Sequence, residues 1–342
     1  MAIDEILTLT PDKARALIFT ALTGAGTAAE NARYFTEAIL DTELSGLEGH
    51  GFYWLQYYCE HVLCGKVDGR AKPSVKKLSP VAFRIDAKRG FAHPAIEKGF
   101  QILIPAAQKN GIAGMAVHNS YNAATLGFHT GFLARHGLVA FGFTNATPAI
   151  APIGGTTSVL GTNPLSFAVP GSKGKVAFLI DQSSSAVTWT AVKRAAEDNR
   201  DIPLGWALDK FGRPTTDPHK GLEGSMAPAG GYKGFSQALI VEVMCAALTG
   251  SNLGPQMGSF MVDDGKPIGC GQFFIALEPK VFSGGVFEKQ IRALIKSIVS
   301  QEGARMPNSR RAANQKRLRR EGLPIGRMLH DTLQGFAAGQ SC

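Results

Sequence analysis

Apolar residues recur at helical spacing near both ends of the chain and gather into short runs in its middle. Thr10-Pro11-Asp12 reads as an N-cap, a proline at the first helical position and an acid in the first turn, so a helix follows to about Leu22. Gly24-Ala25-Gly26 breaks it. Thr27-Ala28-Ala29-Glu30 has the form of a capping box and opens a second helix to about Leu44. WLQYYCEHVL (54–63) predicts a third, stopped by Gly65. VAFRIDA (81–87) reads as a strand, and HPAIEKGFQILIPAAQKNG (93–111) as a long amphipathic helix that stops at Asn110-Gly111. IAGMAVH (112–118), GLVAFGFTN (137–145), LSFAVP (165–170) and KVAFLID (175–181) are apolar runs bounded by glycine and polar turns, the pattern of buried strands. TLGFHTGFLARHG (125–137) reads as a helix between the first two. Helical spacing resumes in SAVTWTAVKRAAED (185–198), and residues 199–234, with Pro203, Pro214, Pro218 and Pro228, read as turns. FSQALIVEVMCAALTG (235–250) is a strongly apolar helix, CGQFFIALEP (270–279) a late strand and VFEKQIRALIKSIVSQEG (286–303) an amphipathic helix. The alternation is too irregular for a simple parallel doubly wound sheet.

A chain of 342 residues, 44% hydrophobic and 18% charged, predicts two packed lobes or one large α/β unit with additions. Its forty glycines cluster without a fixed period, which excludes collagen-like and low-complexity readings. The formal net charge is +9, and much of the excess lies in ARMPNSRRAANQKRLRREG (304–322). Elsewhere the basic residues are not interleaved with aromatics as base stacking requires, so nucleic acid is not the expected partner. The tail reads as a solvated helix face, or as a clamp on an anionic cofactor or a partner subunit. Five cysteines, an odd number with no CxxC spacing, predict reduced thiols and no metal site. No apolar signal core or spanning run is evident, so a soluble cytoplasmic protein without a membrane segment is expected.

The candidate chemistry sits in turns. GAGTAA (24–29) matches a dinucleotide fingerprint, but a helix precedes it where the fingerprint needs a strand. His50, between Gly49 and Gly51, reads either as a general acid–base or as a polar loop residue. APIGG (151–155) and GTNP (161–164) are Gly-rich turns that suit backbone approach to a ligand, or a plain hairpin-like connection. GGYKG (230–234) opens the apolar helix, where free N–H groups and Lys233 suit an anion or simply start a helix. PTTDP (214–218) reads as a rigid loop.

Taken in order, EGHG with a downstream YY, CGKVDG, NSYNAATLGFHTGFLARHGLVAFGFTNATPAIAPIGG, LGTNP, LIDQSSSAV, IPLGWALDKFGRPTTDP and MAPAGGYKG resemble the malate/L-lactate dehydrogenase family over roughly residues 40 to 320. That group of NAD(P)-dependent oxidoreductases includes ureidoglycolate dehydrogenase, sulfolactate dehydrogenase and the Δ1-piperideine-2-carboxylate/Δ1-pyrroline-2-carboxylate reductases. The resemblance implies a mixed α/β, non-Rossmann fold. Residues 76–289 would form a sheet-rich NAD(P)-binding domain with a cleft and a largely antiparallel sheet. Residues 1–75 and 290–342 would form a mainly helical domain from the two chain ends, in a homodimer.

The resemblance makes His50 the proton donor or acceptor and Thr162 a substrate contact, with Tyr53 and Trp54 in the substrate pocket. It places Tyr121, Asn122, Ala123, Gly161, Asn163, Asp181, Gln182, Ser183, Tyr232, Lys233, Arg305 and Arg310 on the cofactor, NAD or NADP. The chain also departs from the family. Gly49 stands where a serine would hold the histidine, Trp54 where an arginine would bind the substrate carboxylate, and Ala191 where an aspartate would complete the relay. Lys193 or Arg194 are the candidates to restore the positive charge. The expected reaction is hydride transfer between nicotinamide and C2 of a small carboxylate-bearing 2-oxo/2-hydroxy or 2-imino acid. The missing relay is easier to reconcile with a cyclic imine, whose iminium carbon arrives already charged. The alternatives are a cofactor-binding relative without dehydrogenase activity and a binder of anionic surfaces or nucleic acid through the tail.

Overall fold

The structure, a computed structural model, describes residues 5–47 and 49–340. Glu48 of the EGHG motif and Cys342 lie outside the described residues.

The chain opens with β1 (Ile6–Leu9), α1 (Pro11–Gly24), α2 (Ala29–Leu44) and α3 (Phe52–Leu63). β2 (Ser74–Ser79), β3 (Ala82–Asp86), α4 (Ala92–Asn110), β4 (Ile112–Ser120), α5 (Leu126–Arg135), β5 (Val139–Thr144), β6 (Leu165–Pro170), β7 (Val176–Gln182) and α6 (Trp189–Glu197) follow. Short β8 (Ala207–Leu208), β9 (Pro214–Thr215), α7 (Pro218–Glu223) and β10 (Ser225–Met226) fill the turn-rich region. The last part holds α8 (Tyr232–Glu242), β11 (Cys270–Leu277), α9 (Pro279–Ser283), α10 (Phe287–Val299), α11 (Ser309–Glu321), β12 (Leu323–Gly326) and α12 (Arg327–Ala337).

The local signals act where the sequence places them, with one shift. Thr10 caps α1 by accepting from the Lys13 N–H at 3.3 Å. The capping box expected at Thr27 does not form. The N-cap is Ala28, one residue later, with no side-chain cap. Tertiary contacts take over: the Ala28 N–H donates to the Gly69 carbonyl, and the Asn31 amide to the carbonyls of Gly69 and Ala71. GAGTAA is accordingly a helix–turn–helix corner.

The main sheet has the order β2-β3-β4-β11-β5-β6-β7. β3 and β4 run parallel and its other neighbours antiparallel, so the sheet is largely antiparallel, as expected. β11, late in the chain, inserts between β4 and β5, which pins the C-terminal half to the middle of the sheet. α4 and α5 cover one face around Phe100, Leu103, Met115 and Phe274.

A second core joins the chain ends. β1 pairs antiparallel with β12, Leu7 opposite Ile325. Ile18, Leu22, Phe35, Ile39 and Leu55 meet Leu318, Leu323, Leu333 and Phe336. The basic tail is thus a helix, α11, docked on α2: Leu318 is buried, and Gln315 donates to Asp41 and Ser45. Residue 290, taken from the sequence as a boundary, falls within α10, which buries none of its own residues. No helix among the described residues is long and apolar enough to cross a membrane.

Candidate active site

A cleft of about 720 Å³ lies between the helical core and the sheet. His50, Trp54, Asn122, Ala123, Thr162, Asp181, Ser183 and Arg311 line it together with residues 144–149 and 257–261.

Local geometry explains why His50 reaches it. The turn after α2 closes when the His50 N–H donates to the Leu47 carbonyl at 2.9 Å. α3 then starts at Phe52, whose N–H donates to the carboxylate of Glu43, buried beneath the turn. A Cβ on Gly51 would lie 1.9 Å from that carboxylate, so only glycine fits. Trp54 is one helical turn further, and its indole N–H donates to the Gly49 carbonyl at 2.6 Å. Glu43 therefore positions the turn, a role that a lone acid in the last turn of a helix did not advertise.

Burial lowers the His50 pKa below the ordinary histidine value. The Asp181 carboxylate and a hydrogen bond at Gly49 oppose that shift, and the Arg311 guanidinium adds to it. Asp181, at the end of β7, pairs with Arg311 at 2.9 Å, and a second nitrogen of Arg311 reaches the Asp181 carbonyl at 3.4 Å. Arg311 is thus the basic-tail residue that enters the cleft. Arg305 and Arg310 are exposed and outside its lining. Neighbours on a helix point about 100° apart, so Arg310 and Arg311 face different ways, and composition alone does not separate them.

Several expected residues stand behind the cleft walls. Tyr121 is buried, with its hydroxyl bonded to His61; burial, reinforced by Lys66, pushes His61 down to about 4 and keeps it neutral. Asn163 is fully buried and bridges three segments: its amide donates to the Ala238 carbonyl and the Glu242 carboxylate, and its oxygen accepts from the Ala146 N–H. Gly161 passes so near Ala146 that a Cβ would meet its carbonyl at 2.3 Å. Gln182 donates to Gln237 at 3.0 Å, Tyr53 packs behind Trp54, and Tyr232 and Lys233 sit on the exposed start of α8. None of these lines the cleft. Lys193 does not line it either: its ammonium donates to the Tyr57 hydroxyl at 3.0 Å behind the aromatic wall. The wall of residues 257–261, with Phe260 edge-on to Trp54, is a part of the site that the sequence reading missed. Its GSFMVDDG stretch carried no motif.

Residues 9–334 match the malate/L-lactate dehydrogenase family. The chain is 39% identical to a (2R)-3-sulfolactate dehydrogenase (NADP(+)) of Chromohalobacter salexigens, covering 96% of this chain and 97% of the relative. It is 34% identical to a Δ1-pyrroline-2-carboxylate reductase of Ancylobacter novellus, covering 97% and 98%. Among solved structures, the Δ1-piperideine-2-carboxylate reductase of Pseudomonas syringae superposes with a TM-score of 0.90 at 29% identity, covering 96% of this chain and 99% of that one. With a match that takes in both the cleft and the helical core formed by the chain ends, this chain belongs to the malate/L-lactate dehydrogenase family.

Proposed function

We propose that the protein is an NAD(P)-dependent oxidoreductase that transfers hydride between nicotinamide and C2 of a small 2-oxo or 2-imino acid, with His50 exchanging the proton. The observation that carries this reading is a half-buried histidine lining the cleft, its pKa lowered by desolvation, within the electrostatic reach of Asp181 and Arg311. The donor set fits the cofactor: polar side chains of Asn122, Thr147 and Ser183 line the cleft, and its volume falls within the ~300–1,000 Å³ usual for small-molecule sites. Asn122, Ala123, Asp181 and Ser183 would hold the dinucleotide, and Arg305, in the segment before α11, and Arg310, in its first turn, its phosphates. When bound, the nicotinamide supplies or accepts the hydride. Arg311 pairs with the substrate carboxylate through the guanidinium edge that Asp181 leaves free, and Thr162 contacts the substrate. His50 gives a proton to the developing oxygen or nitrogen in reduction and takes it back in oxidation. Position 191 holds alanine, so Asp181 is the carboxylate whose charge favours the protonated His50.

Four free cysteines among the described residues support a reducing, cytoplasmic setting. The protein works as a homodimer in this reading. α8 and the following segment expose Leu239, Ile240, Val243 and Leu248, and α10 exposes Leu294 and Val299. Apolar surface on this scale marks an association face. Sedimentation is expected to give twice the 36.3 kDa chain mass, and an Ile240→Asp/Val243→Asp double variant to give the monomer; a monomeric wild type would remove the dimer. α11 docks on α2 through Gln315 and Leu318, and of its basic residues Arg311 is the one drawn into the cleft, so it is the cleft that favours the enzyme over a nucleic-acid binder.

The activity is tested by following nicotinamide oxidation, with NADH and NADPH separately, on pyruvate, oxaloacetate, Δ1-pyrroline-2-carboxylate and Δ1-piperideine-2-carboxylate. Turnover on a cyclic imine above pyruvate and oxaloacetate is expected. Cofactor binding with no turnover on any of them would leave a cofactor-binding protein without dehydrogenase activity.

A further inference from the structure

This inference rests on the oxidoreductase reading and narrows its substrate. The turn that carries His50 is flanked by two tryptophans. Trp54 is fixed by its bond to the Gly49 carbonyl at 2.6 Å. Gly49 packs on Thr190, where a Cβ would lie 3.4 Å from the threonine methyl, so the start of α6 abuts the turn. Trp189 and Thr190, at that start, line the cleft beside Trp54 and His50. Phe260 closes on Trp54 edge-to-face, with ring centres 5.1 Å apart at 82°, and Met257 and Met261 continue the apolar lining.

Lys193 braces this wall from behind. Its ammonium lies 5.9 Å from the Trp54 ring, 5.8 Å from Trp189, 5.5 Å from Tyr53 and 5.1 Å from Tyr57. It also pairs with Glu197 at 3.7 Å. Cation–π attraction holds the rings in place, and the charge stays out of the cleft. Among the described residues that line the cleft, Asp181 and Arg311 carry the only full charges, and they are paired. With Asp181 already on one side of the Arg311 guanidinium, the edge left free can answer one substrate carboxylate. A second acidic group on the substrate would be driven against indole and phenyl surface with no charged partner, which is costly.

We propose that the substrate is a monocarboxylate 2-oxo or 2-imino acid with a large apolar group on C3, an aromatic ring fitting best, seated against Trp54, Trp189 and Phe260. This separates the chain from its 39%-identical relative, named for a substrate that carries both a sulfonate and a carboxylate.

The test is a comparison of kcat/KM at saturating nicotinamide for phenylpyruvate, pyruvate, oxaloacetate and sulfopyruvate, with Δ1-pyrroline-2-carboxylate alongside. Phenylpyruvate is expected to exceed pyruvate by about tenfold or more, with the two dianions lowest. Trp54→Ala is expected to lower the phenylpyruvate-to-pyruvate ratio about tenfold. Trp54→Arg is expected to raise oxaloacetate above phenylpyruvate. Turnover on the imine or pyruvate with phenylpyruvate no better, or a dianion ahead in the wild type, overturns this inference and leaves the oxidoreductase reading standing. A ratio unchanged in a Trp54→Ala protein that keeps its native circular dichroism also overturns it. Should that variant not fold, the wild-type ranking decides. Silence on every substrate, with NADPH still bound by fluorescence titration, defeats the oxidoreductase reading and this inference with it.

Discussion

Replacing His50 with alanine is expected to lower kcat by about 10²–10⁴-fold while leaving the dissociation constant of the nicotinamide cofactor nearly unchanged. The histidine sits at the cleft on a turn fixed from below by Glu43 and at its side by Trp54, so its loss removes a proton carrier and leaves the surrounding walls. The pH profile separates this role from a merely structural one. Burial holds the His50 pKa below the ordinary value near 6.5. Reduction uses the protonated ring, so its rate is highest at acid pH and falls as pH rises through that lowered pKa. Oxidation uses the neutral ring, so its rate falls as pH drops through the same point. Asp181 raises this pKa and Arg311 lowers it. Asp181→Asn should therefore move the limb to lower pH, and Arg311→Gln to higher pH. Stopped-flow rates across pH 5–8 would show it. A limb that survives in His50→Ala would mean that another group carries the proton.

Asn163→Leu is expected to destabilise the protein by about 2–4 kcal/mol, because the change leaves buried partners unpaired rather than removing a whole interaction. The Asn163 amide donates to the Glu242 carboxylate at 2.8 Å and to the Ala238 carbonyl at 2.9 Å, and its oxygen accepts from the Ala146 N–H at 3.1 Å. Glu242 is itself buried, and its other oxygen accepts from the Gly254 N–H at 2.7 Å. Without Asn163, half of that carboxylate faces an apolar side chain. The backbone at Asn163 has φ +35°, a region that asparagine tolerates and a leucine resists, which adds to the cost. Because the bridge ties the GTNP turn to α8 and to residue 146, the cleft wall should loosen with it. Urea unfolding followed by circular dichroism measures the loss. A change of only a few tenths of a kcal/mol would show that this network does not hold the wall.

Much of the fold was legible because periodicity is a local property. The central strands from β3 to β7 and β11, the long α4 and the apolar α8 announce themselves by spacing and by their glycine stops; Gly111, for one, ends α4 at φ +86°. β1 and β12 were not legible. Each has four residues, and each is a strand only because the other, more than 300 residues away, completes its hydrogen bonds. The capping box at Thr27 lost to Asn31 and Gly69 for the same reason: a local cap is worth about 1 kcal/mol, which a few tertiary hydrogen bonds replace.

At the site, the His50 turn, the Trp54 substitution and the family were legible in the residues alone. These depend on residue identity at fixed spacing, which folding does not alter. Which charges share the cleft was settled by the packing of the fold. It chose Arg311 over Arg305 and Arg310, set Lys193 behind the tryptophans, and buried Tyr121 and Asn163. A helix turns by about 100° per residue, and a sheet joins strands far apart in the chain. The direction of a side chain is therefore fixed by the packing of elements that the sequence lists separately and the fold brings together.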